Sequence, residues 1–166
     1  MTIRYWARPI EEAALKELRV RDDAGRECVP YADGEGGAPL RCCLRPSAAG
    51  ERIALVSYAP LRRWAAATGA EPGAYDEQGP VFIHAEDCGG PADREAYPFA
   101  RAGVQRTARR YGARGHILGG RVLDLGDDPD GVIERALDEA FDDPEVALVH
   151  VRAAEFGCFH YEVRRP

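Results

Sequence analysis

The pattern of apolar and polar residues is regular enough to place much of the chain on strands. Residues 148–154 alternate strictly, which puts His150 and Arg152 on one face and two valines on the other. Residues 158–164 repeat the alternation after a short turn, so the two segments predict a C-terminal β-hairpin. Similar patterns predict further strands at 3–6, 40–45, 52–58, 80–86, 104–111 and 116–125.

Two other segments show the spacing of helices. Pro9 suits the first position of a helix in which Leu15 and Leu18 form an apolar stripe. Asp128 can cap a second helix that starts at Pro129 and carries apolar residues every three or four positions. Because strands and helices do not alternate regularly, we expect an α+β fold. It should contain a mainly antiparallel β-sheet, an N-terminal helix and one amphipathic helix before the C-terminal β-hairpin.

Length and composition narrow the classes of function. A chain of 166 residues has the size of one domain, so we expect residues 1–166 to form a single domain. The net charge of −6 argues against nucleic acid as a partner. No apolar run approaches the ~20 residues that cross a bilayer, and the N-terminus lacks a signal peptide's apolar core. We therefore expect a cytoplasmic protein with no membrane partner, and its Arg-, Ala- and Gly-rich composition is typical of bacteria with GC-rich genomes.

The five cysteines include no C-x-x-C pair, so we expect them to be free thiols, mostly buried. The adjacent residues Cys42 and Cys43 would point to opposite faces of the strand at 40–45. This placement predicts packing roles and argues against joint chemistry.

The C-terminal hairpin holds the largest group of chemically useful side chains. If Ala154 opposes Cys158, then His150 opposes Glu162 and Arg152 opposes His160 on one polar face. That face either is the solvated side of a half-buried sheet or curves into a pocket. In a pocket, Arg152 would bind an anion and His150 would act as an acid or base.

Histidine and cysteine spacing also raises the alternative of a metal site. His84 and Cys88 could share a metal ion with His150, His160 or Cys158, although the spacing matches no zinc signature. A histidine paired with backbone is the simpler interpretation of His84. No glycine-rich phosphate loop is present, and no cofactor is expected.

Four segments resemble a known family. Residues 40–44, 50–58, 79–84 and 143–158 are similar to the motifs of the domain of unknown function family 1203, and the similarity starts near Pro39. Leu40 stands where members often have a cysteine, and Arg152 where they often have a second histidine. The family brings no established activity. The resemblance does direct attention to five motif positions, namely Arg41, Tyr58, His84, His150 and Cys158.

These observations lead to one main hypothesis and two alternatives. The main hypothesis is a small-molecule-binding domain, with or without catalysis, whose pocket takes an anionic ligand. Its catalytic residues would be His150 and Cys158, and its ligand-binding residues would be Arg41, Tyr58, Tyr75, His84 and Arg152. The first alternative is a protein-interaction or homodimeric scaffold, and the second is a metal-binding protein.

Overall fold

The computed structural model describes residues 2–166, which form three α-helices and nine strands in two sheets. The helices are α1 (Glu12–Leu18), α2 (Pro60–Thr68) and α3 (Pro129–Asp142). The strands are β1 (Tyr31–Ala32), β2 (Pro39–Leu40), β3 (Arg45–Pro46), β4 (Arg52–Tyr58), β5 (Gly79–His84), β6 (Gln105–Gly112), β7 (Ile117–Asp124), β8 (Val146–Ala153) and β9 (Phe159–Arg164). The predicted α+β class is confirmed, including the N-terminal helix, the helix before the last hairpin and the mainly antiparallel pairing.

The first sheet has five strands in the order β1-β4-β5-β2-β3. All its pairs are antiparallel except β2 with β5. Leu15 and Leu18 of α1 are buried against the sheet, so the predicted apolar stripe is confirmed. The nearly continuous apolar run of β4 reflects its interior position between β1 and β5.

The second sheet has four antiparallel strands in the order β7-β6-β8-β9. Helix α3 covers one face, with Ile133, Leu137 and Phe141 in the core. The side chain of Asp128 accepts a hydrogen bond from Gly131 N at 3.2 Å, which confirms the predicted N-cap.

The two sheets meet at the start of β9. The Nε of Arg41 donates to Phe159 O at 2.7 Å, and the backbone N–H of Arg8 donates to Glu162 O at 2.8 Å. Helix α2 fills the adjoining space, where Trp64 packs with Tyr111 of β6. One face of the second sheet therefore carries α3, while the other turns towards α2 and the first sheet.

The predicted N-terminal elements need correction. Residues 3–6 form no strand, and α1 begins at Glu12 instead of at Pro9. The segment is tied to α3 by side chains, since Arg4 Nε donates to a Glu134 carboxylate oxygen at 2.6 Å and Tyr5 Oη donates to Asp138 at 2.7 Å. These side-chain bonds take the place of a backbone ladder.

The strand predicted at 40–45 is wrong. Residues 41–44 form a tight turn between β2 and β3, closed by the hydrogen bond from Leu44 N to Leu40 O at 2.9 Å. Leu44 has a φ of +58°, a left-handed conformation that non-glycine residues adopt at a cost. Three of the four turn residues are apolar, so the segment has the composition of a strand.

The predicted polar face of the last hairpin is only partly correct. His150 does oppose Glu162, but a register shift between Val151 and Arg152 makes Arg152 oppose Phe159 instead of His160. The bulge turns His160 away, so that its ring lies 4.9 Å from that of Phe99.

Among residues 2–166, no helix combines the length and the apolar character that crossing a membrane requires.

Candidate functional site

A cavity of about 130 Å³ lies between the two sheets. Its walls come from the end of β4, the start of α2, the connection before β5, the inner face of β6 and β8, and the β8–β9 turn. The polar side chains among its lining residues are Tyr58, Glu77, Gln78, Tyr111, His150, Arg152 and Cys158. The cavity therefore lies on the face of the second sheet opposite α3.

Four of the seven residues expected in the pocket share this cavity, namely Tyr58, His150, Arg152 and Cys158. Three lie elsewhere. Arg41 is buried beside the cavity without lining it. The ring of Tyr75 packs against that of His116, with 5.0 Å between the ring centroids. His84 belongs to a separate cluster with three cysteines. The expected common pocket for Arg41 and His150 is therefore not formed.

Arg41 is displaced because residues 41–44 turn. Its side chain, only 2% exposed, donates to the carbonyl oxygens of Phe159 and Pro39. No carboxylate of the described residues lies within ion-pair distance of it. Burial lowers the pKa of Arg41 to about 10, which leaves the guanidinium charged at neutral pH.

His150 forms the most buried polar part of the cavity wall, with no exposed surface. Its Nε2 lies 3.0 Å from Glu162 Oε2, while its Nδ1 has no hydrogen-bond partner among residues 2–166. Burial lowers the pKa of His150 below its ordinary value, so the ring is neutral. Burial alone would raise the pKa of Glu162, but hydrogen bonds from His150 and Arg164 lower it, so the carboxylate is ionised.

This charge state fixes the tautomer of His150. An ionised carboxylate can only accept hydrogen bonds. The proton of the His150 ring is therefore on Nε2, and this N–H donates a hydrogen bond to Glu162. Nδ1 is left with a lone pair. The ring is held in place by Tyr111 at 4.7 Å and by Phe159 at 4.9 Å between centroids. His150, a lining residue of the cavity, therefore holds a fixed acceptor that lacks a donor.

Two arginines lie near Glu77, and one of them, Arg152, lines the cavity. Arg109 Nη1 lies 2.9 Å from Glu77 Oε1 and 3.2 Å from Tyr111 Oη. Arg152 Nε donates to Gly157 O at 2.9 Å, and its Nη2 is 3.6 Å from Glu77 Oε2, too far for a direct hydrogen bond. The exposed carboxylate of Glu77 therefore lies near two guanidinium groups. It hydrogen-bonds to Arg109 and forms only a longer ion pair with Arg152.

A second cluster lies at one end of the first sheet, where β2 and β5 finish. The ligand atoms of Cys42, Cys43, His84 and Cys88 all lie within 4.8 Å of one another. His84 and Cys88 lie together, as the metal-site alternative in the sequence analysis supposed. The further ligands named there, His150, His160 and Cys158, are not in the cluster. The expectation that Cys42 and Cys43 point apart is wrong, because the turn at 41–44 directs both thiols to the same side.

Hydrogen bonds shape this thiol cluster. A hydrogen bond from Cys42 and one from the backbone N–H of Arg45 lower the pKa of Cys43 below its ordinary value. His84 Nδ1 faces the thiols, and its Nε2 lies 3.3 Å from Glu51 Oε1. Glu51 in turn pairs with Arg45 at 2.6 Å.

Several of these residues had no signal in the sequence. Glu77 lies on an irregular connection, and Glu51 lies just before β4, so neither belongs to a pattern. Arg109 and Tyr111 share a face with His150 through the β6–β8 ladder, which only the pairing register reveals. The adjacent cysteines were the one visible hint of the thiol cluster.

The fold and the cavity define a class of α+β fold in which a buried histidine, paired with a glutamate behind it, lines a small cavity between two sheets. Within known sequences, the chain belongs to the family described as "Protein of unknown function (DUF1203)", whose sequence model matches residues 37–165. The matched region includes every lining residue of the cavity and all four members of the thiol cluster. Comparison with curated proteins and with solved structures finds no match to this chain.

Proposed function

We propose that this domain binds a small organic anion that also carries a hydroxyl group, in the cavity between the sheets. The observation that supports the proposal is that His150, whose buried Nδ1 is an acceptor without a donor, lines the same cavity as Arg152. Buried polar groups nearly always have partners, and an orphan at a cavity is explained by a ligand that supplies one.

His150 and Arg152 determine which chemical groups the ligand carries at its two ends. Nδ1 can only accept, so the ligand must donate to it, as a hydroxyl does. The carboxylate of the ligand pairs with Arg152, whose own carboxylate neighbour Glu77 stands 3.6 Å away. Tyr111 Oη accepts from Arg109 and keeps its proton to donate to the ligand.

The size of the cavity limits the ligand. A volume of about 130 Å³ is close to the ~150 Å³ cavity that holds benzene, which has six non-hydrogen atoms. Short hydroxycarboxylates such as glycolate and lactate fit this limit. Six atoms bring at most about 9 kcal/mol of binding free energy, so we expect dissociation constants in the micromolar to millimolar range.

Calorimetric titration with matched pairs of anions tests the proposal. Glycolate and lactate should bind about tenfold more tightly than acetate and propionate, because one buried hydrogen bond contributes about 1.4 kcal/mol. Equal affinities within each pair, or no binding of any of the four anions, would contradict it.

Variants assign the two ends of the ligand. In H150Q the amide nitrogen can still donate to Glu162, but nothing replaces Nδ1, so the preference for the hydroxyl should disappear. R152Q should abolish binding of all four anions. R121Q, on the exposed part of β7, removes an arginine far from the cavity wall and should bind as the wild type does. Unchanged binding in R152Q would reject the proposed anion subsite.

A further inference from the structure

We infer that Cys42, Cys43, His84 and Cys88 bind one zinc ion in a closed, tetrahedral site of three thiolates and one imidazole. Nothing in the proposed anion cavity requires this site, and none of the four residues lines that cavity. The inference rests on distances, on the environment of His84 and on the turn that carries two of the ligands.

The distances match the edges of a zinc tetrahedron. With bonds of ~2.3 Å to sulfur and ~2.0 Å to nitrogen, tetrahedral angles put two sulfurs about 3.8 Å apart and sulfur and nitrogen about 3.5 Å apart. Cys42 Sγ and Cys43 Sγ are 3.9 Å apart, and His84 Nδ1 is 3.3 Å from the first and 3.7 Å from the second. The thiol of Cys88 lies within 4.8 Å of these atoms and completes the set.

The second nitrogen of His84 has the partner that a metal ligand needs. Histidines that bind metal through one nitrogen usually donate the other N–H to a carboxylate, which fixes the ring. His84 Nε2 lies 3.3 Å from Glu51 Oε1, and the ring is buried. This arrangement leaves Nδ1 to face Cys42 and Cys43.

Backbone and charge also suit a bound metal. The N–H of His84 donates to Cys42 Sγ at 3.2 Å, which stabilises a thiolate. Three thiolates around a divalent ion leave one negative charge, and the guanidinium of Arg45, which also pairs with Glu51, lies 3.4 Å from His84 Nε2. The left-handed Leu44 closes the turn that brings two adjacent thiols to one side, a strain that a bound ion would offset.

Ligand type selects the metal. Sulfur-rich tetrahedral sites favour zinc, and four protein ligands leave no open position for a substrate, which is typical of structural zinc. The ion would connect the β2–β3 turn, the end of β5 and the loop after it. An affinity in the nanomolar range or tighter is expected for such a site.

Cobalt titration of the full chain, stripped of metal and kept reduced, tests the inference. Co²⁺ should develop the intense visible bands of a tetrahedral ion and the ultraviolet bands of thiolate ligation, saturating at one ion per chain, and Zn²⁺ should displace it. Weak octahedral bands, or no binding, would overturn the inference. The wild-type spectrum decides this by itself, even if a variant fails to fold.

Two half-buried cysteines provide a matched pair of variants. C88S removes a ligand and should weaken zinc binding by about a hundredfold or more, a larger loss than the ~10–100-fold typical of outer partners. C28S changes a cysteine outside the cluster and should bind one zinc ion with wild-type affinity. Equal affinities in the two variants would exclude Cys88 as a ligand and overturn the four-ligand site.

Discussion

Two of the three buried histidines have the same kind of partner at one ring nitrogen and different surroundings at the other. His84 and His150 each place Nε2 next to a glutamate, at 3.3 Å from Glu51 and 3.0 Å from Glu162. The Nδ1 of His84 lies near the thiols of Cys42 and Cys43, whereas the Nδ1 of His150 has no partner among the described residues, and His150 lines the cavity. The carboxylate fixes the ring in both cases, and the surroundings of Nδ1 decide between a metal ligand and an acceptor for a ligand's hydroxyl.

The largest expected effect is the loss of stability on removing metal, which only the His84 site should show. At a free zinc concentration about a thousand times the dissociation constant, binding stabilises the folded state by about 4.1 kcal/mol. For a chain of this size, that corresponds to a fall in Tm of roughly 8–16 °C after chelation, measured by differential scanning calorimetry. The C88S variant is the control and should show a smaller fall, of at most roughly 3–6 °C, because zinc is then only about ten times above a hundredfold weaker dissociation constant. A wild-type shift below about 2 °C would contradict a structural ion.

Exchanging each carboxylate for an amide should separate the two histidines. E51Q should weaken zinc binding by about 10–100-fold, the usual loss for an outer-shell partner, and leave anion binding unchanged at saturating zinc. E162Q should do the reverse, because an amide that donates to Nε2 moves the proton of His150 to Nδ1. The preference for hydroxylated anions would then fall about tenfold. Metal titration measures the zinc affinity of both variants, and calorimetry measures their anion affinity. Loss of both zinc and anion binding in either variant would show that the sites are not separate.

Acid should destabilise the protein through its neutral buried histidines. Burial lowers the pKa of His150, and burial with the nearby charges of Arg41 and Arg106 lowers the pKa of His160 to about 3. The unfolded chain binds these protons near pH 6.5 and the folded chain does not, so stability is complete above that pH. It falls as the pH drops below ~6.5, by at most about 1.4 kcal/mol per pH unit for each histidine.

Chemical denaturation from pH 7.5 to 4.5 measures this dependence. The H160Q variant should show a shallower decline than the wild type, because it lacks one of the two protonation sites. Loss of zinc in acid contributes to both proteins, so the difference between their slopes isolates His160. Identical slopes would mean that His160 is already protonated in the folded protein.

The smallest expected effect concerns a residue outside both sites. Tyr75 stacks on His116 and does not line the cavity, so Y75F should change neither anion affinity nor zinc affinity. Its stability should remain within about 0.5 kcal/mol of the wild type. Binding calorimetry checks this, and weaker anion binding would place Tyr75 closer to the ligand than the fold does.

The sequence predicted the fold where periodicity was long and failed where the chain is short and buried. Residues 148–154 and 158–164 alternate along most of a strand, and the predicted pairing of His150 with Glu162 is confirmed. Three of the four residues in the buried turn at 41–44 are apolar, so composition cannot distinguish a turn from a strand there. Because of the bulge, Phe159 lies opposite Arg152 in place of His160. The bulge does not disturb the alternation in the sequence, so only the pairing of β8 with β9 reveals it.

The same limit explains which site residues could be predicted. Tyr58, His150, Arg152 and Cys158 line one cavity, and all four lie at strand ends or on the hairpin that the pattern located. The metal alternative named His84 and Cys88 but missed Cys42 and Cys43, because their common orientation depends on the left-handed Leu44. Contacts between distant segments depend on backbone geometry that residue spacing does not encode.

Arg41 connects the two regions compared above. It immediately precedes Cys42, and its side chain holds the carbonyl of Phe159, whose ring packs against His150. A loosened β2–β3 turn would therefore displace the aromatic ring that keeps the imidazole in position. Metal occupancy and anion affinity should then be thermodynamically linked, each raising the other by the same factor. The chain would hold its organic ligand best when its ion is in place.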